Sequence, residues 1–401
     1  MTDKAYIKPK PRGTVLIISP WNFPLNLAII PLAGAIAAGC TAILKPSEIS
    51  GNTGHLLNVL ITKYLDNKCY RVIEGNAMQA TELLRHKFDL IFYTGSTKIG
   101  KIISQKAAVH LTPTVLELGG KNPVIVDDNM DLNVVANRVA WGRWCINCGQ
   151  VCLSPEYIII KKSLQKAMLA ALINAIKTYF GTENPIKNGD YGRIINKFHF
   201  NRLKSVLNEN KKYIAFGGKS DINGTYIQPT IMTNIDNSAP IMNDEVFGPI
   251  ICIYPVNDVK SEAINIINSK PKPLALYLFS KNKSYIDKVI NTTDAGGVTI
   301  NDVILHFAFP GLPFGGIGNS GQGRYHGKYS FDAFSYEKPI LHKSLFGESL
   351  NIIRTPPFTD IKSKIYKGLT EIKPESEYAN VYKIATFAGI AGLALFVRAK
   401  L

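Results

Sequence analysis

Three of the chain's six cysteines, Cys145, Cys148 and Cys152, crowd into the stretch WCINCGQVCLSP. Thiols so spaced serve either a metal or a nucleophile with two bystanders. A closed zinc site takes four ligands, and the nearest downstream histidine is the distant His199. Iron–sulfur clusters also need a further partner, whereas Cys40, Cys69 and Cys252 sit in apolar, strand-like or mixed segments. No metal is therefore expected. Cys145 and Cys148 read as small packing residues at a helix end. Cys152, in the polar turn that begins NCGQ, reads as the nucleophile, provided its surroundings favour a thiolate. A thioester formed there must be broken by activated water. LELGGK offers a carboxylate for that task, Glu117, beside glycines that let the backbone approach a ligand closely.

Two other stretches suit a phosphorylated ligand. In FYTGSTKIGKI, Gly95 and Gly100 have Walker spacing and Lys101 takes the lysine place, but Ile102 stands where a magnesium-holding Ser or Thr is required. The three-glycine dinucleotide pattern is not met either. What remains is a strand-to-helix turn whose N–H groups and dipole end can face a pyrophosphate, and a purely structural turn fits as well. In ILKPSE, Lys45 and Glu48 emerge at a strand's carboxyl edge, where open α/β sheets bind ligands; a ribose diol or a surface lysine with a helix cap are equal readings.

These residues need a scaffold of buried strands. TVLIISP, TAILKP, CYRVIEG, DLIFYTG and NPVIVDD are short, continuous and rich in β-branched residues, and helical stretches such as Ala28 to Ala38 and Thr53 to Leu65 lie between them. From Gly13 to about Asp127 this order predicts an α/β fold with a doubly wound parallel sheet. A second α/β region, roughly Leu132 to Gly318, contains EYIIIKK, PIICIYPV and LALYLFS. The expected division is a cofactor-binding domain over 1–122, a catalytic domain over 123–325, a bridging segment over 326–345, a basic linker over 346–380 and a C-terminal apolar helix over 381–401. No internal repeat is evident.

At 401 residues, 46% hydrophobic and 19% charged, the composition is globular. The net charge of +16 is carried by scattered lysines without interleaved aromatics, so no nucleic-acid partner is expected. MTDKAYIKPKPRG has no apolar run behind its charges; the expectation is no signal peptide and reduced thiols. At the other end, Ile384 to Val397 is uncharged and flanked by Lys383, Arg398 and Lys400. That is shorter than the roughly 20 residues of a spanning helix, yet a thinned bilayer and snorkelling flanks make a membrane anchor the favoured reading over a helix docked on the core.

In order, PWNFP, LKPSE, TGSTKIG, LELGGK, GQVC, EVFGP and LPFGGIGNSGQGRYHGKYSFDAFS resemble the aldehyde dehydrogenase superfamily over residues 12 to about 345. YHGKYSF resembles its class 3 branch, and the basic linker with its apolar tail resembles the membrane-bound fatty aldehyde dehydrogenases. The resemblance implies NAD-dependent oxidation of long-chain or aromatic aldehydes by a homodimer facing the cytosol on the mitochondrial outer membrane or endoplasmic reticulum, or on a lipid droplet if the tail lies flat. It makes Cys152 the nucleophile, with Asn22 and the Cys152 N–H cradling the oxyanion and Glu117 activating water. Lys45 and Glu48 would hold the adenosine ribose, and Gly95, Ser96, Thr97 and Gly100 the pyrophosphate. Glu245 and Phe247 would hold the nicotinamide ribose and ring. Glu48 would repel a 2′-phosphate, which favours NAD over NADP. Asn301 and His306 fall where the family lines its substrate site; from spacing alone His306 is a packed histidine or a Cys–His partner.

Two departures accompany the resemblance. The family carries a much longer segment ahead of PWNFP, so the alternative expectation is an inactive, membrane-associated remnant that no longer binds cofactor. WGRWCINCGQVC is also about one residue longer than the family's version, which predicts a bulged helix end just before the nucleophile.

Overall fold

A computed structural model describes residues 4–181, 189–309, 311–345 and 348–370. The chain divides into two units, one of Pro9–Tyr336 and one of Met1–Lys8 with Glu337–Leu401.

The larger unit holds two sheets. The first has six strands in the order Gly321–Gln322, Thr114–Glu117, Leu90–Thr94, Thr14–Ile18, Thr41–Lys45, Tyr70–Val72. All neighbours are parallel except Gly321–Gln322, which runs antiparallel to Thr114–Glu117. LIFYT is buried at every position, as a strand covered on both faces must be. The chain builds outward from Thr14–Ile18 to one side, then returns to build outward on the other. The order therefore reverses between Thr14–Ile18 and Leu90–Thr94, and the crevice past their carboxyl ends is where such a sheet binds ligands. Asn22, Lys45, Gly95, Ser96 and Glu117 all lie at or just beyond carboxyl ends of this sheet.

The second sheet has seven strands in the order Gly297–Ile300, Ala275–Phe279, Pro123–Val126, Tyr157–Lys161, Ile250–Val256, Thr230–Met232, Ile214–Phe216, parallel but for the last pair. Cys152 sits on the loop leading into Tyr157–Lys161, and Glu245 and Phe247 on the loop leading into Ile250–Val256. One sheet thus offers its carboxyl-end loops and the other its amino-end loops. The strand NPVIVDD, continuous in pattern with the first sheet, is the third strand of the second. Conversely, Gly321–Gln322, inside the range assigned to the catalytic domain, pairs with the cofactor-side sheet.

Lys4–Pro11 and Ser335–His342 form a two-stranded ribbon, and the smaller unit goes on to a 3₁₀ segment Glu348–Arg354 and a helix Asp360–Thr370. The ribbon joins residues that the sequence reading had divided between the cofactor-binding domain and the bridging segment. No helix among the described residues is long and apolar enough to cross a membrane. The apolar segment Ile384 to Val397 lies outside the described residues.

Candidate active site

The nucleophile loop begins with a distortion. The helix Leu132–Ala140 passes into a π-helix over Trp141–Cys145, the wider winding by which one extra residue is absorbed. Asn147, Cys148 and Gly149 then take φ of 46°, 52° and 71°. At Gly149 a side chain is impossible, since a Cβ would lie 2.5 Å from the Gly248 carbonyl oxygen. The GQVC and EVFGP loops therefore meet backbone to backbone. Cys148 is buried, as a packing residue should be, whereas Cys145 is exposed and packs little. Among the described residues no cluster of His, Cys, Asp or Glu can hold a metal.

Side chains outside the motif hold the loop. Asn122 donates to the carbonyls of Cys152 at 2.7 Å and Ser154 at 3.1 Å. Tyr277 donates its hydroxyl to the Leu153 carbonyl at 2.5 Å. Asn22 donates Nδ2 to the Gln150 carbonyl at 3.0 Å, and Asn147 donates to the Asn22 carbonyl at 3.0 Å. An amide nitrogen carries two hydrogens, so Asn22 keeps one to offer beside the thiol.

Cys152 and Glu117 form part of the wall between two cavities. The first, about 310 Å³, is bounded by Asn22, Gly95, Ser96, Glu245 and Phe247 and by Trp21, His199 and Arg202. The second, about 180 Å³, is enclosed by Phe23, Ile146, Ile304, Phe307, Phe314 and Tyr325. Cys152, Glu117, Leu27 and Thr94 line both. One side of the thiol therefore meets a largely apolar cleft edged by the polar groups of Asn22, Ser96, Arg202 and Glu245, and the other side is almost wholly carbon.

The electrostatics follow from burial. Burial, then the nearby carboxylates Glu245 and Glu117, push the Cys152 thiol well up; backbone N–H groups of Cys152 and Leu153 pull the other way. Glu117 is 3% exposed, and neither carboxyl oxygen has a hydrogen-bond partner among the described residues. Burial raises its pKa well above the usual range, opposed by Arg324. Burial and Glu156 push Glu245 up to about 8. Both groups are carboxyl-bearing, dry and short of partners, a pattern associated with function.

The donors and acceptors suit a dinucleotide in the first cavity. Glu245 Oε1 is buried and unpartnered, an acceptor that ribose hydroxyls would satisfy. A Cβ on Gly119 would stand 2.1 Å from Glu245 Oε2, so only glycine admits this carboxylate. Ser96 caps the helix Thr97–Ala108, whose first turn opens beside Gly95. Thr97 turns its hydroxyl to the Asn319 carbonyl at 3.1 Å, and Gly100 packs on Leu118, where a Cβ would come within 2.6 Å. Lys45 donates to the Pro46 carbonyl at 2.9 Å and to Glu48 at 3.4 Å. Lys45, Glu48, Thr97 and Gly100 do not line either cavity, whereas Asn22, Gly95, Ser96, Glu117, Cys152, Glu245 and Phe247 all do.

Asn301 lines neither cavity: its side chain accepts from the Ser280 N–H at 2.9 Å and its φ is 61°. His306 bonds Thr299 through Nδ1 at 2.8 Å and stacks on Phe314. Burial lowers its pKa to about 4, with His326 adding to the effect, so it stays neutral. The packed reading of His306 is the one its surroundings support. Sequence reasoning missed Trp21, Arg202, Phe314 and Tyr325 as cavity residues: Trp21 stands beside Asn22 in PWNFP, Phe314 and Tyr325 lie in the long glycine-rich string that carries the resemblance, and Arg202 lies in no motif.

The pattern that defines the aldehyde dehydrogenase family matches residues 1–340. With a Cys–Glu pair between a cleft edged by polar groups and an apolar chamber on this α/β frame, the chain belongs to the aldehyde dehydrogenase family. Its similar relatives are of family 3: aldehyde dehydrogenase family 3 member A2 of Rattus norvegicus is 51% identical over 362 residues, 90% of this chain and 74% of that one. The dimeric, NADP-preferring aldehyde dehydrogenase of Rattus norvegicus is 48% identical over 355 residues, 88% of this chain and 77% of its own. The substrate-bound AldH of Staphylococcus aureus matches with a TM-score of 0.88 at 43% identity, covering 92% of this chain and 79% of that one. Betaine aldehyde dehydrogenase of the same organism, in complex with NAD+, matches at 0.77 and 31%, covering 86% and 71%.

Proposed function

We propose that the chain oxidises long-chain or aromatic aldehydes to carboxylic acids with NAD, through a thiohemiacetal and then a thioester on Cys152. The observation that carries this is the partition: the thiol opens on one side to a cleft edged by Gly95, Ser96 and Glu245, and on the other to an apolar chamber. An aldehyde's chain gains about 25 cal/mol for each Å² it buries against Phe307, Phe314 and Ile304. Its carbonyl then faces Cys152, where the free Asn22 hydrogen and the Cys152 N–H receive the developing oxyanion. NAD, when bound, supplies the hydride acceptor. Glu245 and Phe247 orient its nicotinamide end, and Gly95, Ser96, Thr97 and Gly100 belong to the turn that meets the pyrophosphate. Lys45 and Glu48 take the adenosine ribose, and the Glu48 carboxylate disfavours a 2′-phosphate. Glu117 takes a proton from the water that hydrolyses the thioester.

Titrating the protein with NAD while following thermal unfolding tests this. Saturation a hundredfold above Kd adds about 2.7 kcal/mol of stability, with NADP weaker. Absence of any shift at millimolar NAD overturns the reading in favour of a remnant without cofactor binding.

We place the enzyme as a homodimer held to a cytosol-facing membrane, of the mitochondrial outer membrane or endoplasmic reticulum, by the segment Ile384 to Val397. The support is the uncharged run and its basic flanks, Lys383, Arg398 and Lys400. A soluble reporter fused to residues 340–401 is expected to stay in the membrane pellet after carbonate; release by salt alone overturns the anchor.

A further inference from the structure

We propose that Glu156 is a positioning residue, a buried carboxylate that ties together the segments bearing the nucleophile, the general base and the nicotinamide-side loop, and so sets the spacing between thiol and cofactor. The inference rests on the site reading given above.

Glu156 lies four residues beyond Cys152, where the strand Tyr157–Lys161 begins. Its Oε1 accepts from Arg143 Nη1 at 2.8 Å; its Oε2 accepts from Lys121 Nζ at 2.9 Å and from the Val246 N–H at 3.1 Å. Each donor belongs to a different working segment. Arg143 is in the π-helix before the thiol, Lys121 ends the LELGGK stretch that carries Glu117, and Val246 sits between Glu245 and Phe247. The donors extend the tie: Arg143 Nη1 also reaches the Pro155 carbonyl at 3.0 Å and Ser154 Oγ at 3.2 Å, and Lys121 the Asp244 carbonyl at 3.0 Å. The backbone adds Glu156 N–H to the Asn122 carbonyl at 2.9 Å. Asn122 is the same residue that holds the Cys152 carbonyl.

The chemistry of the tie points to geometry rather than stability. The Arg143 and Glu156 side chains are 0% and 2% exposed. Buried ion pairs are costly to desolvate, and apolar residues of similar volume commonly serve stability as well or better. What a carboxylate adds is short, charge-assisted, directional bonds to several donors at once. Burial alone would raise the Glu156 carboxyl, but Arg143 and Lys121 outweigh it and hold it below the ordinary range. The ionised Glu156 in turn contributes, after burial, to the high proton affinity of Glu245. Misplacement of reacting groups by about 1 Å costs on the order of a hundredfold in rate, so a tie across these loops governs turnover.

The test uses the full chain with Glu156→Gln, with Glu156→Asp, and with the double variant Arg143→Met/Glu156→Leu, which removes the Arg143–Glu156 pair and leaves Lys121 its bond to the Asp244 carbonyl. Reactive thiols are titrated first, so that rates refer to intact sites. In the Gln and double variants kcat per thiol is expected to fall about a hundredfold and NAD affinity to weaken, while KM for a long-chain aldehyde, set by the apolar chamber, stays unchanged. Glu156→Asp keeps the charge with a shorter reach and gives intermediate values.

The pH midpoint for NAD affinity also moves down when Glu245 loses its negative neighbour. The groups facing Glu245 are Glu156, Lys121, Arg143 and the Gly120 N–H, with Cys152 and Arg202 also close. Cys152 alkylation by iodoacetamide near neutral pH slows, because an ionised Glu245 holds the thiol proton. A lower melting temperature with kcat, NAD affinity and the pH midpoint unchanged per thiol overturns the proposal. If the Gln and double variants do not fold, wild-type kinetics in Glu156→Asp overturn it equally. A wild-type protein that binds NAD yet oxidises no aldehyde sinks the proposed function, while NAD affinity and alkylation still decide the role of Glu156.

Discussion

Replacing Cys152 with serine is expected to lower aldehyde oxidation by more than about a thousandfold while leaving the fold and the NAD-induced rise in melting temperature in place. The substitution changes one atom in a wall shared by the two cavities, so packing is nearly preserved. The chemistry is not. Even the wild-type thiol is held protonated, first by burial and then by Glu245 and Glu117, and the backbone N–H groups of Cys152 and Leu153 offset this only in part. A serine hydroxyl in the same dry setting starts from a far higher pKa. His306, the Cys–His candidate of the sequence, is committed to Thr299 and stacked on Phe314. Cys145→Ser and Cys148→Ser are the controls and should keep most activity, although Cys148→Ser buries a hydroxyl and lowers stability. Activity assays with elemental analysis check all three. Equal damage from Cys145→Ser, together with bound metal, would restore the metal-nest reading of the cysteine cluster.

The strands of the scaffold were legible because a strand covered on both faces must be continuously apolar. TVLII, TAILK, LIFYT, YIIIK and IICIYPV all announce themselves in that way. Which sheet a strand joins is not a local property, and Pro123–Val126 shows the consequence. It follows the first sheet without a break in pattern yet pairs with Tyr157–Lys161 and Ala275–Phe279. The return strand Gly321–Gln322 is two residues of the glycine-rich GNSGQG, too short and too polar for any periodicity to reveal. The extra residue before the nucleophile was readable by resemblance, and a π-helix stands where the bulge was expected. The buried tie was unreadable. In SPEYIII, Glu156 looks like a surface turn residue, and its partners Arg143 and Lys121 are separated from it by 13 and 35 positions. Only the fold shows that a charged residue next to a strand is enclosed rather than solvated.

For Glu117→Gln the expected trace is a rapid burst of NADH, close to one per active site, followed by a steady state slower by roughly 10²–10⁴-fold. The amide keeps the shape of the wall between cleft and chamber but cannot take a proton from water, so the acyl-enzyme forms and then waits. Loss of the burst in equal measure would mean that Glu117 also draws the proton from the thiol. The same variant gives a second, independent reading of the site. Burial raises the Glu117 carboxyl well above 4.5, its ordinary value. Between that value and its raised native value the native state binds a proton that the unfolded chain has released, so this group makes stability fall as pH rises. Glutamine does not titrate. Wild type and variant should therefore melt at similar temperatures near the ordinary carboxyl pKa and diverge above it, the variant gaining up to about 1.4 kcal/mol per pH unit until the native carboxyl ionises. Thermal unfolding of both proteins across that range measures the divergence. A wild type that holds its stability with rising pH would mean that Glu117 is already ionised at rest, with Arg324 outweighing the cost of burial.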